Sequence, residues 1–278
     1  MKIFNTRPAL RQYLSQCRSA GKKTGLVPTM GALHKGHISL INTAKSYTDE
    51  VICSVFVNPT QFTDPKDLEK YPRPVAHDIQ MLTDAGCDVL FMPTVSEMYA
   101  PGETWHIDIG PIENLLEGKY RPGHYQGVTQ VVYKLFTIIE PDYAFFGQKD
   151  YQQVMVIRRM VELMQLPVKL IMCPIIREEG GLAMSSRNVH LKAKEHRDSL
   201  ILSETLALVK GQFDKQNIAV LTQMAIDHFA TNAAIQLDYF EIVDAATLLP
   251  ADARTEKTIA LVAAKIGNTR LIDNIILD

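Results

Sequence analysis

The sequence predicts an α/β protein: a mostly parallel sheet with helices on both faces, followed by a smaller C-terminal α+β domain. Three observations carry this. Up to about residue 175, short apolar runs alternate with stretches of helical spacing, the pattern of strands buried between helical layers. After about Ile176 the order changes to helices followed by consecutive strands, the signature of a separate α+β unit. The length of 278 residues suits one large domain or two ordinary ones.

The elements follow in order. Gly25–Thr29, Val51–Val57, Asp88–Met92, Tyr143–Phe146 and Val168–Cys173 read as buried strands. Val128, Val131, Val132, Leu135, Ile138 and Ile139 recur at i, i+3, i+4 and i+7, as do Val154, Ile157, Val161 and Met164, so both stretches read as helices. Asp64–Pro74 and Glu97–Glu103, rich in proline and charge, read as surface loops. Lys192–Lys210 and Ile218–Ala230 are expected as helices, and Leu237–Val243, Thr258–Ala264 and Arg270–Ile275 as strands. The expected domains are residues 1–176 and 177–278, with a flexible polar step at Arg177–Gly181 between them.

Composition narrows the function classes. Lys plus Arg is 29 and Asp plus Glu is 31, a formal net charge of -2. That balance argues against a nucleic-acid backbone as the main partner, though a nucleotide needs only a few local cations. Cys17, Cys53, Cys87 and Cys173 are far apart, so there is no C-x-x-C and no metal-ligand pair, and reduced, buried thiols are expected. No apolar run reaches the roughly 18 residues of a membrane span, and Met1–Leu10 lacks a signal-peptide core. A cytoplasmic enzyme without a membrane partner is the expectation.

Ligands on open parallel sheets bind beyond the carboxyl ends of the strands, so the residues after each apolar run are the candidates. After the first run come Met30, Gly31, Ala32, Leu33, His34, Lys35, Gly36 and His37, a glycine-bearing turn into a helix starting near His37. Helix N-termini attract phosphate through their exposed N–H groups. Gly31 and Gly36 have P-loop spacing, but His37 and Ile38 replace the Lys and Ser/Thr that motif requires. His34 and His37 read best as donors to a triphosphate; as a metal pair they lack an evident third ligand.

After the second run, Asn58 and Gln61 offer neutral amides to a hydroxyl or carboxylate, while an ordinary Asn-Pro turn is the alternative for Asn58. Gly147, Gln148, Lys149 and Asp150 follow the fourth run. Gly147 allows close backbone approach and Lys149 is a phosphate cation. Asp150 either caps the next helix or contacts a ribose or metal. Gln153 lies one turn further on. After the fifth run come Ile176 and then Met184, Ser185, Ser186 and Arg187, two hydroxyls and a guanidinium suited to phosphate. At the opening of the second domain, this segment is placed to act as a lid over a nucleotide.

Taken together, these segments resemble the pantoate–β-alanine ligase (pantothenate synthetase) family over about Gly25 to Asn274. The matching pieces are P-T-M-G-A-L-H-K-G-H (28–37), F-V-N-P-T-Q-F (56–62), Y-P-R (71–73) with Asp78, R-P-G-H-Y-Q-G-V (121–128), F-G-Q-K-D-Y-Q-Q (146–153), M-S-S-R-N (184–188) and T-R-L-I-D-N (269–274). H-K-G-H is similar to the H-x-G-H signature of a wider adenylyl-transferring superfamily, and M-S-S-R to its lysine–serine signature, with Arg187 where Lys often stands.

The resemblance implies a Rossmann-like first domain and a two-step ligase. ATP and pantoate would give pantoyl-adenylate and pyrophosphate, and β-alanine would then displace AMP. Mg²⁺ would accompany ATP, no metal site would be built by the chain itself, and the assembly would be a homodimer. By position, Met30–His37, Gly147–Asp150, Ile176 and Met184–Arg187 would bind ATP. His34, His37 and Lys149 would act in catalysis, and Gln61, Gln153 and Asn58 would hold substrate. Gln148 departs from the Glu common in relatives, with little consequence expected, and residues 97–106 match poorly.

Three rivals share parts of this pattern. A nucleotidyltransferase acting on a phosphorylated substrate needs more cations than neutral Asn58 and Gln61 supply. A tRNA-binding protein conflicts with the -2 charge. A non-catalytic nucleotide sensor would have little need of His34, His37, Lys149 and Arg187 together.

Overall fold

The computed structural model describes residues 1–215, 217–251 and 255–278. They fall into two compact units, Met1–Gly147 with Gln152–Pro174, and Gln148–Tyr151 with Ile175–Asp278.

The first unit holds a six-stranded parallel sheet in the order β1-β4-β3-β2-β5-β6. Its strands are β1 (Lys2–Phe4), β2 (Thr24–Thr29), β3 (Glu50–Val55), β4 (Val89–Phe91), β5 (Tyr143–Gly147) and β6 (Lys169–Cys173). The helices are α1 (Arg7–Ser19), α2 (Lys35–Lys45), α3 (Pro65–Lys70), α4 (Val75–Asp84), α5 (Val95–Met98), α6 (Leu116–Tyr120), α7 (His124–Ile139) and α8 (Tyr151–Leu163). β2 to β4 wind in one direction and β5 to β6 in the other. The reversal lies between the neighbours β2 and β5, and the carboxyl ends of strands at such a reversal are where open sheets bind ligands. The apolar runs form strands because both faces are covered: Val27, Val51, Cys53, Leu90 and Phe145 pack with Leu40, Ile41 and Ala44 of α2 and Leu82 of α4.

The second unit pairs β7 (Ile235–Asp244), β8 (Thr258–Ile266) and β9 (Thr269–Ile276) in an antiparallel sheet with β8 central. Its helices are α9 (Ala193–Ser199), α10 (Ile201–Gln212) and α11 (Ile218–Ala230). Leu202, Leu206 and Val209 of α10 and Leu221, Ala225 and Phe229 of α11 pack on Phe240, Ile242, Ala260 and Val262.

Several local expectations need correction. β1 is a further strand that the apolar runs do not announce, three residues long and too short to show a period. The run expected to end at Val57 leaves the sheet at Val55, where the chain turns toward Pro59. The two expected surface loops each contain or overlap a short helix, α3 capped by Asp64 through the Lys66 N–H and α5 capped by Thr94 through the Glu97 N–H. The helix expected over Lys192–Lys210 divides into α9 and α10, where the buried Ser199 hydroxyl donates back to the His196 carbonyl. All four cysteines are free and buried. Burial pushes the Cys53 thiol well up and that of Cys87 to about 11, which leaves both as inert packing groups.

Candidate active site

In the first unit the site is built at the carboxyl ends of β2, β3 and β5. Gly31 and Ala32 follow β2 with φ of 82° and 50°, so the turn is left-handed at two successive residues. Asp78 of α4, 1% exposed, locks it: its two carboxylate oxygens accept the Ala32 and Leu33 N–H groups at 2.9 and 2.8 Å. Only glycine fits at 31, because a Cβ there would stand 2.9 Å from the Asp78 carboxylate.

Helix α2 then starts at Lys35, two residues earlier than the sequence suggests, because His34 is its N-cap. The two histidines form a reciprocal capping box: His34 Nδ1 accepts the Gly36 N–H at 3.1 Å, and His37 Nδ1 accepts the His34 N–H at 3.3 Å. Their ring centroids are 4.1 Å apart. With each Nδ1 engaged in the box, Nε2 is the outward-facing edge of each ring. The pair therefore presents two Nε2 edges beside the backbone N–H groups of a helix start. Lys35 is exposed.

After β3 a short 3-10 turn, Pro59–Gln61, carries the amides. Asn58 is 1% exposed and saturated. Its Nδ2 donates to Gln61 Oε1 and to the Gly127 carbonyl, both at 3.1 Å, and its Oδ1 accepts from Tyr99 Oη at 2.6 Å, Thr60 Oγ1 at 3.1 Å and Thr60 N at 3.3 Å. Both donor hydrogens of Asn58 are thus used within the fold, one of them on Gln61. Gln61, 7% exposed, keeps its Nε2 toward Met30 Sδ at 3.1 Å. Sulfur is a weak acceptor, so this amide has donor capacity to give a ligand.

Helix α7 braces the turn from behind. His124 Nδ1 donates to the Gln61 carbonyl at 2.8 Å, and Arg121 donates to His124 Nε2 at 3.1 Å. Gly127 lies so close that a Cβ would come within 2.2 Å of the Thr60 carbonyl oxygen. These contacts account for the R-P-G-H-Y-Q-G run, whose role the sequence alone leaves open. Arg73 is structural too, donating to the Leu68 and Tyr71 carbonyls at the end of α3. At the end of β5 an added Cβ on Gly147 would meet no atom within 4 Å, so packing does not require glycine there. Gln153 is half-buried in the first turn of α8, whereas its neighbour Gln152 is spent inside the fold on the Glu117 N–H and the Ile112 and Leu115 carbonyls.

The second unit carries the remaining residues. Gln148–Asp150 is a 3-10 turn and α8 begins at Tyr151, so Asp150 precedes the helix by way of that turn. The buried Asn274 of β9 fastens it: Asn274 Nδ2 donates to the Gln148 and Lys149 carbonyls, both at 3.0 Å, and Gln148 Nε2 donates to Asn274 Oδ1 at 3.1 Å. Gln148 thus has a specific side-chain partner. Lys149 is mostly buried, its Nζ 4.0 Å from Asp150 Oδ1.

The stretch Arg177–Gly181 is a bonded turn rather than a loose step. Arg177 pairs as a β-bridge with Ala183, and its guanidinium grips the buried Asp273 at 2.6 and 3.0 Å. Burial raises the Asp273 carboxyl from its ordinary value, and the Arg177 pairing works against that rise. The Met184 N–H donates to the Ile176 carbonyl at 2.9 Å, which brings these two predicted residues together. Ser185 Oγ accepts the Arg187 N–H at 3.2 Å, and Asn188 Nδ2 donates to Glu178 Oε1 at 2.6 Å, shaping the Met184–Arg187 segment from within its own unit. Among the described residues, no three His, Cys, Asp or Glu side chains are grouped to hold a metal ion, and no helix is long and apolar enough to cross a membrane.

The chain is similar to known proteins over its whole length. The family model described as pantoate-beta-alanine ligase matches residues 2–276. Pantothenate synthetase of Porphyromonas gingivalis is 46% identical over 277 residues, covering 99% of each chain. That of Acetivibrio thermocellus is 43% identical over 283 residues, covering 100% of each. Among solved structures, pantothenate synthetase from Thermus thermophilus superposes with a TM-score of 0.94 at 38% identity, covering 100% of this chain and 99% of that one. A pantoate-beta-alanine ligase from Francisella tularensis, complexed with beta-gamma ATP and beta-alanine, gives a TM-score of 0.81 at 38% identity, covering 100% and 98%.

Proposed function

Because the chain belongs to the pantoate–β-alanine ligase family, and so joins pantoate to β-alanine with ATP, we propose that it does so through a pantoyl-adenylate. A carboxylate has no leaving group for an amine to displace at neutral pH. Attack of the pantoate carboxylate on the α-phosphorus of ATP expels pyrophosphate and supplies one. The β-alanine amine then attacks the acyl carbon, and AMP departs.

The observation that carries the reading is the reciprocally capped histidine pair at the start of α2. Two Nε2–H edges beside the N–H groups of the first helical turn suit a triphosphate whose charge shifts during transfer. His34 and His37 act here as electrostatic donors through Nε2, each Nδ1 being held in the capping box. Met30–His37 and Gly147 of the first unit bind ATP. In the second unit the same role falls to Gln148–Asp150, Ile176 and Met184–Arg187, with Lys149 bridging phosphates. Gln61 and Gln153 hold pantoate, and Gln61 also meets β-alanine. Mg²⁺ fits as a cation carried by the nucleotide, since the protein offers it no ligand cluster among the described residues and this ion commonly rests on substrate phosphates. The functional domains are residues 1–176 and 177–278, and the assembly is a homodimer, which a solution mass twice that of one chain tests.

The direct test is AMP release with ATP, pantoate and β-alanine, each omitted in turn. Sustained AMP formation should require all three. Formation of ADP instead would overturn the adenylate route.

A further inference from the structure

Asn58 has an amide orientation that the backbone dictates. The Gly127 carbonyl can only accept and the Thr60 N–H can only donate, so Nδ2 must face Gly127 and Oδ1 must face Thr60. That orientation fixes Gln61 in turn. Its Oε1 is held by Asn58 Nδ2 at 3.1 Å, so its own Nε2 is the end that points away, toward Met30. The substrate-facing end of Gln61 is therefore a donor, complementary to the oxygens of a hydroxy acid.

The shortest bond in this relay comes from a residue that the resemblance does not assign. Tyr99, just after α5, donates its phenolic hydrogen to Asn58 Oδ1 at 2.6 Å. The Asn58 side chain is 41 residues away in sequence and 1% exposed. Burial pushes the Tyr99 phenol to about 12, so it remains a donor throughout the range in which the enzyme is assayed. We propose that Tyr99 is a positioning residue for pantoate recognition, holding Asn58 so that Gln61 presents its N–H group to the substrate. In this role Tyr99 acts on the substrate through two amides, Asn58 and Gln61. The proposal rests on the reading of Gln61 as a pantoate ligand.

The test is a double-mutant cycle on steady-state KM, with Tyr99→Phe, Gln61→Ala and the double variant, each checked for folding by thermal melt. Phenylalanine keeps the ring and removes only the hydroxyl. Tyr99→Phe should raise the KM for pantoate about three- to tenfold, the scale of one hydrogen bond, and leave the KM for ATP unchanged. In the Gln61→Ala background the same substitution should add nothing. If Gln61→Ala leaves pantoate KM unchanged, the reading of Gln61 fails and this proposal fails with it. If Gln61→Ala impairs pantoate use but Tyr99→Phe does not, or if the two effects multiply independently, only the positioning role is overturned. An equal rise in both KM values for a stably folded Tyr99→Phe would make Tyr99 a general structural residue and also reject the proposal.

Discussion

The carboxyl ends of β2 and β3 solve one problem in two ways. After β2, the donor pair is assembled from neighbours: His34 and His37 cap each other across three residues, and Asp78 reaches in from a distance. After β3, the single amide of Gln61 depends on Asn58, on Gly127 of α7 and on Tyr99 beyond α5. The proposed phosphate donors rest on a helix start, which is local by nature. A site that must choose between the two ends of an amide needs fixed partners from elsewhere in the fold.

The largest effect is expected on the local side. His37→Ala should lower turnover about 10²–10³-fold, the usual loss for one well-placed charge-stabilising donor. It should also lower stability by about 1 kcal/mol, because the His34 N–H loses its cap. Steady-state kinetics and a thermal melt measure the two together. Near-normal turnover would remove His37 from the catalytic set and leave it a capping residue.

On the long-range side, Gly127→Ala should act at a distance. The added Cβ would lie 2.2 Å from the Thr60 carbonyl oxygen, so α7 or the Pro59–Gln61 turn must move. Destabilisation of about 1–3 kcal/mol is expected from overpacking, together with a higher KM for pantoate and a smaller change for ATP. Unaltered pantoate kinetics in this variant would mean that the position of the turn does not set recognition.

The smallest effect belongs to Lys35, which is exposed beside the histidine pair. Lys35→Ala should change ATP affinity by no more than about fivefold, the range of an exposed charge pair, and less at high salt. A much larger loss would show that the Lys35 cation, rather than the histidine edges, dominates phosphate binding.

The same contrast decides what the sequence can reveal. The five apolar runs and the turn into α2 are legible because strand burial and helix starts leave marks within a dozen residues. His34 as an N-cap leaves no such mark, since histidine is an uncommon cap and its ring reads first as a phosphate donor. Tyr99 stands in a stretch without a periodic signal, and its partner is 41 residues distant. Asn274 fastens Gln148 and Lys149 at separations of 126 and 125 residues. Such pairings depend on topology, which no local pattern encodes.

The adenylate mechanism is tested most directly by isotope exchange. With enzyme, Mg²⁺, ATP and pantoate, labelled pyrophosphate should pass into ATP without β-alanine, because none of the groups assigned to adenylation requires an amine. Exchange should vanish when pantoate is omitted, and added β-alanine should divert the intermediate to AMP. Absence of exchange with pantoate present, accompanied by release of ADP, would contradict the adenylate and the roles given to His34 and His37.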